Sequence, residues 1–436
     1  MATVLGRIRQ ISPARRAAYG ILREVEAGAF SSVLLAADNL QLKPADRALA
    51  HELVLGVLRR QLWLDKLIEH YAKRSAETLD FPVRLALRLG LYQLRFLSRI
   101  PDSAAVNESV NLVHSARLSS ATAFVNAVLR RAIRESDYDP ASQISDPLEK
   151  LAVETSHPRW LIERWANAFG FEETQAFAGA NNAVPPTAFR IVNTDLSDVS
   201  EQIRKAGGTV ESSRIAEDAW RVSGAGAVIR ELAATGQIYL QDEASQLVAQ
   251  TVDIQPNERA LDLCAAPGGK TTLMARRAGN SVLIVASDRS EKRLQTVVRT
   301  TALHKLNQIK SVILDAAQTL PFADRTFDRL LVDAPCSGTG TLRRNPEIRW
   351  RISEPDILTL ATQQKLFLNQ AARVLKPGGQ LVYSACAVEP EENERVIQDF
   401  VQQHPAFTLE KTTRTWPHRE AVDGFFIASL WLATQQ

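Results

Sequence analysis

From residue 14 to 135 apolar positions recur at three- and four-residue spacing, the period of a helix with one buried face. Ala18, Ile21, Leu22 and Val25 share one stripe, and Leu49, Leu53 and Val57 share another. Ser12-Pro13 and Lys43-Pro44 read as helix starts. VRLALRLGLYQLRFL and ATAFVNAVLRRAIRE alternate apolar faces with arginines. The pattern predicts an all-α bundle over residues 1–140. Residues 136–156, SDYDPASQISDPLEKLAVETS, are polar and contain proline, and read as a linker. In the following stretch, to residue 240, HPRWLIERWANAFG predicts a short helix. PTAFRIVN, GGTVESS, AWRVSG and QIYLQ predict short strands, so residues 141–240 read as a small α+β domain. From about residue 243 the rhythm is strand, loop, helix, repeated. RALDL, SVLIVAS, SVILD, RLLVD and GQLVYS are near-continuous apolar runs separated by helical segments. That pattern predicts a parallel, doubly wound sheet over 241–436, with its strand tails in one cleft.

Composition narrows the picture. With 436 residues, 45% apolar and 23% charged, the chain has room for two or three globular domains. No apolar run reaches bilayer length. The opening MATVLGRIRQISPARRAAYG carries charge without a signal-peptide core. The expected location is the cytoplasm, with no membrane partner. Three cysteines and seven scattered histidines show no zinc spacing, so no metal is expected. The charge is uneven: residues 1–140 hold 20 Lys and Arg against 14 Asp and Glu, and the remainder 32 against 35. A basic first third favours a polyanion such as RNA. Arg59, Arg60, Arg84, Arg88, Arg95, Arg130 and Arg131 are candidate contacts. Each taken singly reads more simply as a solvated or ion-paired residue.

The strand tails carry the chemistry. The first reads LDLCAAPGGKTT, Leu261–Thr272. Gly268 and Gly269 let backbone approach a ligand before a helix begins. One reading is a phosphate-binding loop, since GGKT ends like a Walker motif. That spacing needs a glycine where Cys264 stands, and Pro267 stiffens the loop. The other reading is S-adenosylmethionine. The second tail ends in Asp288, 26 residues past Asp262, suited to two ribose hydroxyls. The third supplies Asp315 for an adenine edge. Acids at successive tails repel a triphosphate and suit a sulfonium cation; the plainer alternative is that each caps a following helix. Lys270 has three readings: a cofactor contact, a partner for an active-site acid, or a first-turn helix residue.

The fourth and fifth tails, RLLVDAPCSGTGTL and GQLVYSACAVEPEENE, each end at a cysteine, Cys336 and Cys386. An isolated cysteine is most simply a small core residue, and Cys264 reads that way. Two at adjacent tails point to covalent chemistry. C5 of a pyrimidine is not nucleophilic by itself. A thiolate added at C6 makes C5 enamine-like, and C5 can then attack a sulfonium methyl. Cys386, Cys336 and Asp333 offer the thiol and the acid that this needs.

These motifs, together with the N-terminal FVNAVLRR, resemble the Sun/RsmB family of bacterial rRNA (cytosine-5)-methyltransferases. HPRWLIERW and YLQDEASQLVAQ resemble its intervening segments. The resemblance implies a NusB-like RNA-binding bundle over 1–140, an RRM-like α+β domain over 141–240, and a Rossmann-like class I methyltransferase domain over 241–436. It implies Cys386 as nucleophile, Cys336 in product release, and Asp333 against the base near the cofactor. Cys264, Ala265, Ala266, Pro267, Gly268, Gly269 and Lys270, with Asp288, Arg293, Asp315 and Asp333, would bind S-adenosylmethionine. The implied substrate is small-subunit rRNA, and a monomer is expected because the RNA-binding domain is already fused. The family reads Tyr-Ser-Thr-Cys-Ser at the nucleophile, whereas Ala385 and Ala387 stand here. Two hydroxyls that would lie near the thiolate are thus absent, a role left to water or backbone N–H. In TLRRNPEIRW, Arg343, Arg344, Arg349 and Trp350 read as phosphate and base contacts, against the alternative of a loop anchored by Trp350. A target base must leave its stack to reach the thiol. Two other classes stay open: a P-loop NTPase, and a non-catalytic RNA-binding protein with a degenerate domain.

Overall fold

The computed structural model describes residues 11–36 and 42–434; the first ten residues of the stretch read for a signal peptide lie outside them. The chain divides into two compact units. One is Met1–Ala183 with Leu342–Arg351, the other Val184–Thr341 with Ile352–Gln436.

The first unit is helical. Its elements are α1 (Pro13–Glu26), α2 (Ser31–Ala36), α3 (Pro44–Arg59), α4 (Gln61–Ala72), α5 (Phe81–Phe96), α6 (Asp102–Ser115), α7 (Thr122–Arg134), α8 (Pro147–Thr155), α9 (Arg159–Phe169), α10 (Phe171–Ala180) and the late turn α16 (Ile348–Arg351). Pro13 and Pro44 open their helices, where a missing N–H costs nothing. The stripes meet in a core that includes Leu22, Leu53, Val57, Leu89 and Leu129.

Two expectations change here. The segment read as a linker contains α8, whose Leu151, Ala152 and Val153 are buried. Asp146 caps it by accepting from the Leu148 and Glu149 N–H groups. Most of the arginines proposed for RNA are engaged inside the unit. Arg88 is buried and grips Asp65 with two bonds of 2.7 and 2.6 Å. Arg59 donates to the Arg343 carbonyl at 2.7 Å, and Arg60 to the Glu154 carbonyl at 3.1 Å. Arg95 donates to the Tyr71 hydroxyl, Arg131 pairs with Glu135, and Arg84 lies 4.0 Å from Glu26. Arg130 is exposed and donates to Asn126 on its own helix at 3.0 Å.

The second unit contains two sheets. The smaller joins β1 (Thr187–Ile191), β2 (Thr209–Ser212), β3 (Ala219–Ser223) and β4 (Ile238–Leu240) in the antiparallel order β2-β3-β1-β4. Helices α11 (Leu196–Lys205) and α12 (Gly226–Ala234) bury Val199, Ile203, Ile229 and Leu232 against Phe189 and Val222. After α13 (Glu243–Thr251) come β5 (Arg259–Asp262), α14 (Gly269–Ala278), β6 (Leu283–Asp288), α15 (Glu291–Leu303), β7 (Ile309–Ile313), β8 (Phe327–Asp333), α17 (Glu354–Val374), β9 (Leu375–Ala385), α18 (Glu394–Gln403), β10 (Phe407–Thr415) and β11 (Phe425–Leu432).

The large sheet runs β10-β11-β9-β8-β5-β6-β7. The five predicted apolar runs are its parallel strands β5 to β9. Sequence analysis missed β10 and β11, which join as an antiparallel pair beside β9. Both faces are covered, which explains the continuous apolar strands. Leu330, Val332, Leu381 and Tyr383 face one core with Phe367 and Ile397; Leu331 and Val382 face the other with Val248 and Leu273. The strand order reverses at β5, between β6 and β8, so the cleft of such a sheet opens at the tails of these strands.

Candidate active site

The loop after β5 folds tightly on itself. The Ala265 N–H donates to the Ser287 carbonyl, and the Gly268 N–H to the Ala265 carbonyl, both at 2.7 Å. Gly268 has φ +104° and packs its α-carbon side against Val297, a combination that only glycine takes without strain. The turn aims α14 at the cleft, and Lys270 lies in the first turn of that helix.

A cavity of about 320 Å³ lies over the strand tails. Cys264, Ala266, Asp288, Arg293, Asp315, Asp333, Cys336 and Cys386 all line it. A smaller one of about 160 Å³ is lined by Ala265, Pro267, Gly269 and Lys270, and shares Cys264, Ala266 and Asp333 with the first. Gly268 lines neither. Asp288 accepts from the Ser290 N–H at 2.9 Å and pairs with Arg293 at 3.1 Å. Arg293 also donates to the Ala266 carbonyl at 3.0 Å, tying the loop to α15. Asp315 accepts from the Ala317 N–H at 2.9 Å. Both acids therefore accept from the backbone N–H two residues on and line the cavity as well, while Ser290 caps α15. Burial pushes the Cys264 thiol well above its ordinary range, with Asp262, Asp333 and Asp288 adding to the effect.

The strands β8 and β9 pair so that Asp333 stands opposite Ser384. Ser384 donates to Asp333 at 2.6 Å, and the Lys270 ammonium holds the other carboxylate oxygen at 2.7 Å. Burial opposes the charge on Lys270, but Asp333 outweighs it and the ammonium pKa rises. The two sulfurs of Cys336 and Cys386 are 3.2 Å apart. The hydrogen bond to Cys386 and then burial push the Cys336 thiol well above its ordinary range.

Several residues that sequence reasoning left without a role hold this pair. Glu392 is fully buried and accepts from the Ser337 N–H at 2.8 Å and from Gln364 at 3.0 Å. Its carbonyl accepts from the Tyr383 hydroxyl at 2.6 Å. Asn393 donates to the Ala387 carbonyl at 3.0 Å. The Gly340 N–H donates to the Cys386 carbonyl at 2.9 Å. A Cβ on Gly340 would stand 1.9 Å from the Gly424 oxygen, so the close approach demands glycine. The signal was present in PCSGTG and EPEENE, whose glycines and acids follow the two strands directly.

Two further expectations are corrected. Ala385 and Ala387 are buried in the apolar core with Leu261 and Phe426, so hydroxyls there would face packing rather than the thiolate. Arg349 is fully buried, with its guanidinium on the carbonyls of Ser156 at 3.1 Å and Asn181 at 3.4 Å. Burial lowers its pKa to about 9. Arg343 is also buried. Neither presents its charge to a phosphate.

Residues 249–431 match the family 16S rRNA methyltransferase RsmB/F, 12–134 match the NusB family, and 157–229 match the ferredoxin-like domain of RsmF/B-like methyltransferases. A Bacillus subtilis protein named probable ribosomal RNA small subunit methyltransferase B is 34% identical, over 92% of this chain and 94% of that one. A Synechocystis protein of the same name is 36% identical over 96% and 99%. The crystal structure of PH0851 superposes with a TM-score of 0.84 at 27% identity, covering 97% of this chain and 99% of that one.

Proposed function

The chain belongs to the 16S rRNA methyltransferase RsmB/F family, whose members methylate small-subunit rRNA from S-adenosylmethionine, and from that premise we propose that it methylates C5 of a cytosine through a covalent Cys386–C6 adduct. The observation that carries this reading is the thiol pair 3.2 Å apart in the cavity that Asp333 also lines.

The residues present fit the cofactor. Asp288, Asp315 and Asp333 bring carboxylates to one cavity, suited to a sulfonium and to ribose hydroxyls. When bound, S-adenosylmethionine supplies the methyl as an electrophile. A phosphate loop fits poorly, because Lys270 is committed to Asp333.

Lys270 and Ser384 fix Asp333 so that its carboxylate can hold the base by accepting from the N4 amine beside N3. The Cys386 sulfur gives its electron pair to C6, and the C5–C6 π pair moves to C5. That pair takes the methyl. The bond to C6 also turns the Cys386 sulfur into a thioether, which weakens the 3.2 Å hydrogen bond between the two sulfurs. Cys336 then loses its proton to water and takes the one on C5. The C5–C6 double bond re-forms, the C6–S bond breaks, and the Cys386 thiolate returns. One proton is released per turnover.

The same reading takes residues 1–140 as the RNA-binding bundle, 141–240 as the middle domain and 241–436 as the catalytic domain. It has the protein act as a cytoplasmic monomer. The test is tritium transfer from S-adenosylmethionine to protein-free small-subunit rRNA, with nucleoside analysis, for wild type and Cys386→Ala. Label in 5-methylcytosine with wild type alone is expected. Equal label with both would move the nucleophile to Cys336. Cofactor binding without label on rRNA would favour a domain that only binds RNA.

A further inference from the structure

Arg190 lies in β1, a strand paired on both sides, opposite Ala219 of β3 and Tyr239 of β4. Side chains alternate across such a strand. Phe189 turns to the core shared with α11 and α12, so Arg190 stands on the other face of the small sheet. A cation there would ordinarily be solvated, yet Arg190 is 2% exposed. Its guanidinium is turned onto α14. One terminal nitrogen donates to the Thr272 hydroxyl at 2.7 Å and to the Gly269 carbonyl at 3.5 Å, and Nε donates to the Gln241 side chain at 3.3 Å. The Tyr239 ring faces it, with 4.9 Å between ring centre and guanidinium carbon. The other terminal nitrogen is buried with no hydrogen-bond partner among the described residues. The acceptors are a hydroxyl, a carbonyl and an amide, with no carboxylate among them. Burial lowers the arginine pKa to about 10. A cation buried without a counter-charge destabilises the fold, and an apolar side chain of similar length would pack there as well or better. Stability alone does not explain an arginine here.

The contacts converge on the first turn of α14. That turn has no side-chain cap, since Gly268 stands at the cap position. Successive helical residues turn through about 100°, so Gly269 and Thr272 share one face while Lys270 and Thr271 point elsewhere. Gly269 packs on Tyr239, where a Cβ would stand 2.9 Å from the ring. Thr272 accepts from Arg190 and donates to the Gly268 carbonyl at 2.8 Å. On the other faces, the Lys270 ammonium is 2.7 Å from Asp333, and Thr271 donates to Asp262 at 2.6 Å. A rotation or slide of this turn away from Arg190 carries Lys270 with it. Tyr239 and Gln241 also line the cavity of about 160 Å³ that Lys270 and Asp333 share. All of these residues belong to one compact unit.

We propose that Arg190 is a positioning residue of the reaction: from the small sheet it fixes the first turn of α14 and so holds the Lys270 ammonium against Asp333. The effect on turnover rests on the reading of Asp333 as the group that holds the base. The placement of Lys270 does not.

The test uses the full chain with Arg190→Met, Thr272→Val, Lys270→Met and the double variant Arg190→Met/Lys270→Met. The first readout is the rate at which the N-hydroxysuccinimide ester of acetic acid acetylates Lys270 in RNA-free protein, followed by peptide mass spectrometry. The second is kcat/KM for methyl transfer to small-subunit rRNA, and the third is Tm. Arg190→Met should speed acetylation of Lys270 about ten-fold or more, because an ammonium loosened from Asp333 gives up its proton more readily. It should lower kcat/KM about ten-fold or more, with Tm falling by less than about 4 °C. In the Lys270→Met background the same change should cost less than about two-fold, because Arg190 acts through Lys270. Thr272→Val removes the nearest acceptor of Arg190 and should move both rates the same way by less. Unchanged Lys270 acetylation in Arg190→Met overturns the proposal whatever the Tm, and so do equal losses of kcat/KM with and without Lys270. If Arg190→Met does not fold, Thr272→Val decides by the acetylation rate. Wild type that methylates no rRNA would instead defeat the functional reading, and acetylation would still decide the placement of Lys270.

Discussion

Glu392 makes a quantitative prediction about pH. Its side chain is fully buried, and burial raises its pKa from 4.5 to about 7, against the lowering effect of the Ser337 and Gln364 donors. The folded state therefore holds this proton more tightly than the unfolded chain. Its stabilising contribution is complete below pH 4.5 and is lost as pH rises through about 7. At about 1.4 kcal/mol per tenfold change in ionisation, the whole rise corresponds to about 3 kcal/mol. Between pH 5 and 8.5 the loss is about 2–3 kcal/mol. Glu392→Gln cannot ionise, so it should escape that loss. The substitution also changes a buried hydrogen bond, a fixed offset that cancels when two pH values are compared. Asp262, which burial raises to about 7, titrates in both proteins and cancels too. The assay is denaturant unfolding of wild type and Glu392→Gln at pH 5 and 8.5. Wild type should lose about 2–3 kcal/mol relative to the variant across that interval. A gap independent of pH, or one that widens in the opposite direction, would refute the reasoning and show Glu392 to be a stable carboxylate held by its donors.

Three other outcomes follow from the same geometry. Lys270→Met removes the ammonium 2.7 Å from Asp333 and should lower kcat/KM by about 10²–10³-fold, measured by steady-state methyl transfer. Cys264, whose thiol burial holds well above its ordinary range, should be alkylated far more slowly by iodoacetamide at pH 7 than a free thiol, as followed by mass spectrometry; rapid labelling would contradict its placement. Gly340→Ala puts a methyl 1.9 Å from the Gly424 oxygen and should destabilise the catalytic unit by about 3 kcal/mol or more, seen as a lowered Tm.

The parallel strands were legible because both faces of the sheet are buried, so β5 to β9 show as runs of Val, Ile and Leu. The site was legible for a related reason: Asp288, Asp333, Cys336 and Cys386 lie at or just past the ends of those runs. Charge misled the reading elsewhere. An arginine on a helix looks solvent-facing until its partner is known, and Asp65, the partner of Arg88, sits 23 residues away on another helix. The same holds for Arg349, whose acceptors are backbone carbonyls that no side-chain pattern reports. The segment before α8 looked like a linker because it is polar, yet Asp146-Pro147 was a helix start of the kind recognised at Ser12-Pro13. β10 has five consecutive exposed residues, Thr408 to Thr412, and so lacks the apolar run that marked its neighbours.

The most direct test of the central claim is the covalent bond itself. Cys336→Ala would be incubated with S-adenosylmethionine and small-subunit rRNA, digested with nuclease and protease, and the nucleotide-bearing peptide sequenced by mass spectrometry. The account predicts a methylated cytidine attached to Cys386 in the peptide that contains YSACAVEPEENE. An adduct on another residue, or full turnover with no adduct when both Cys336 and Cys386 are replaced, would contradict it.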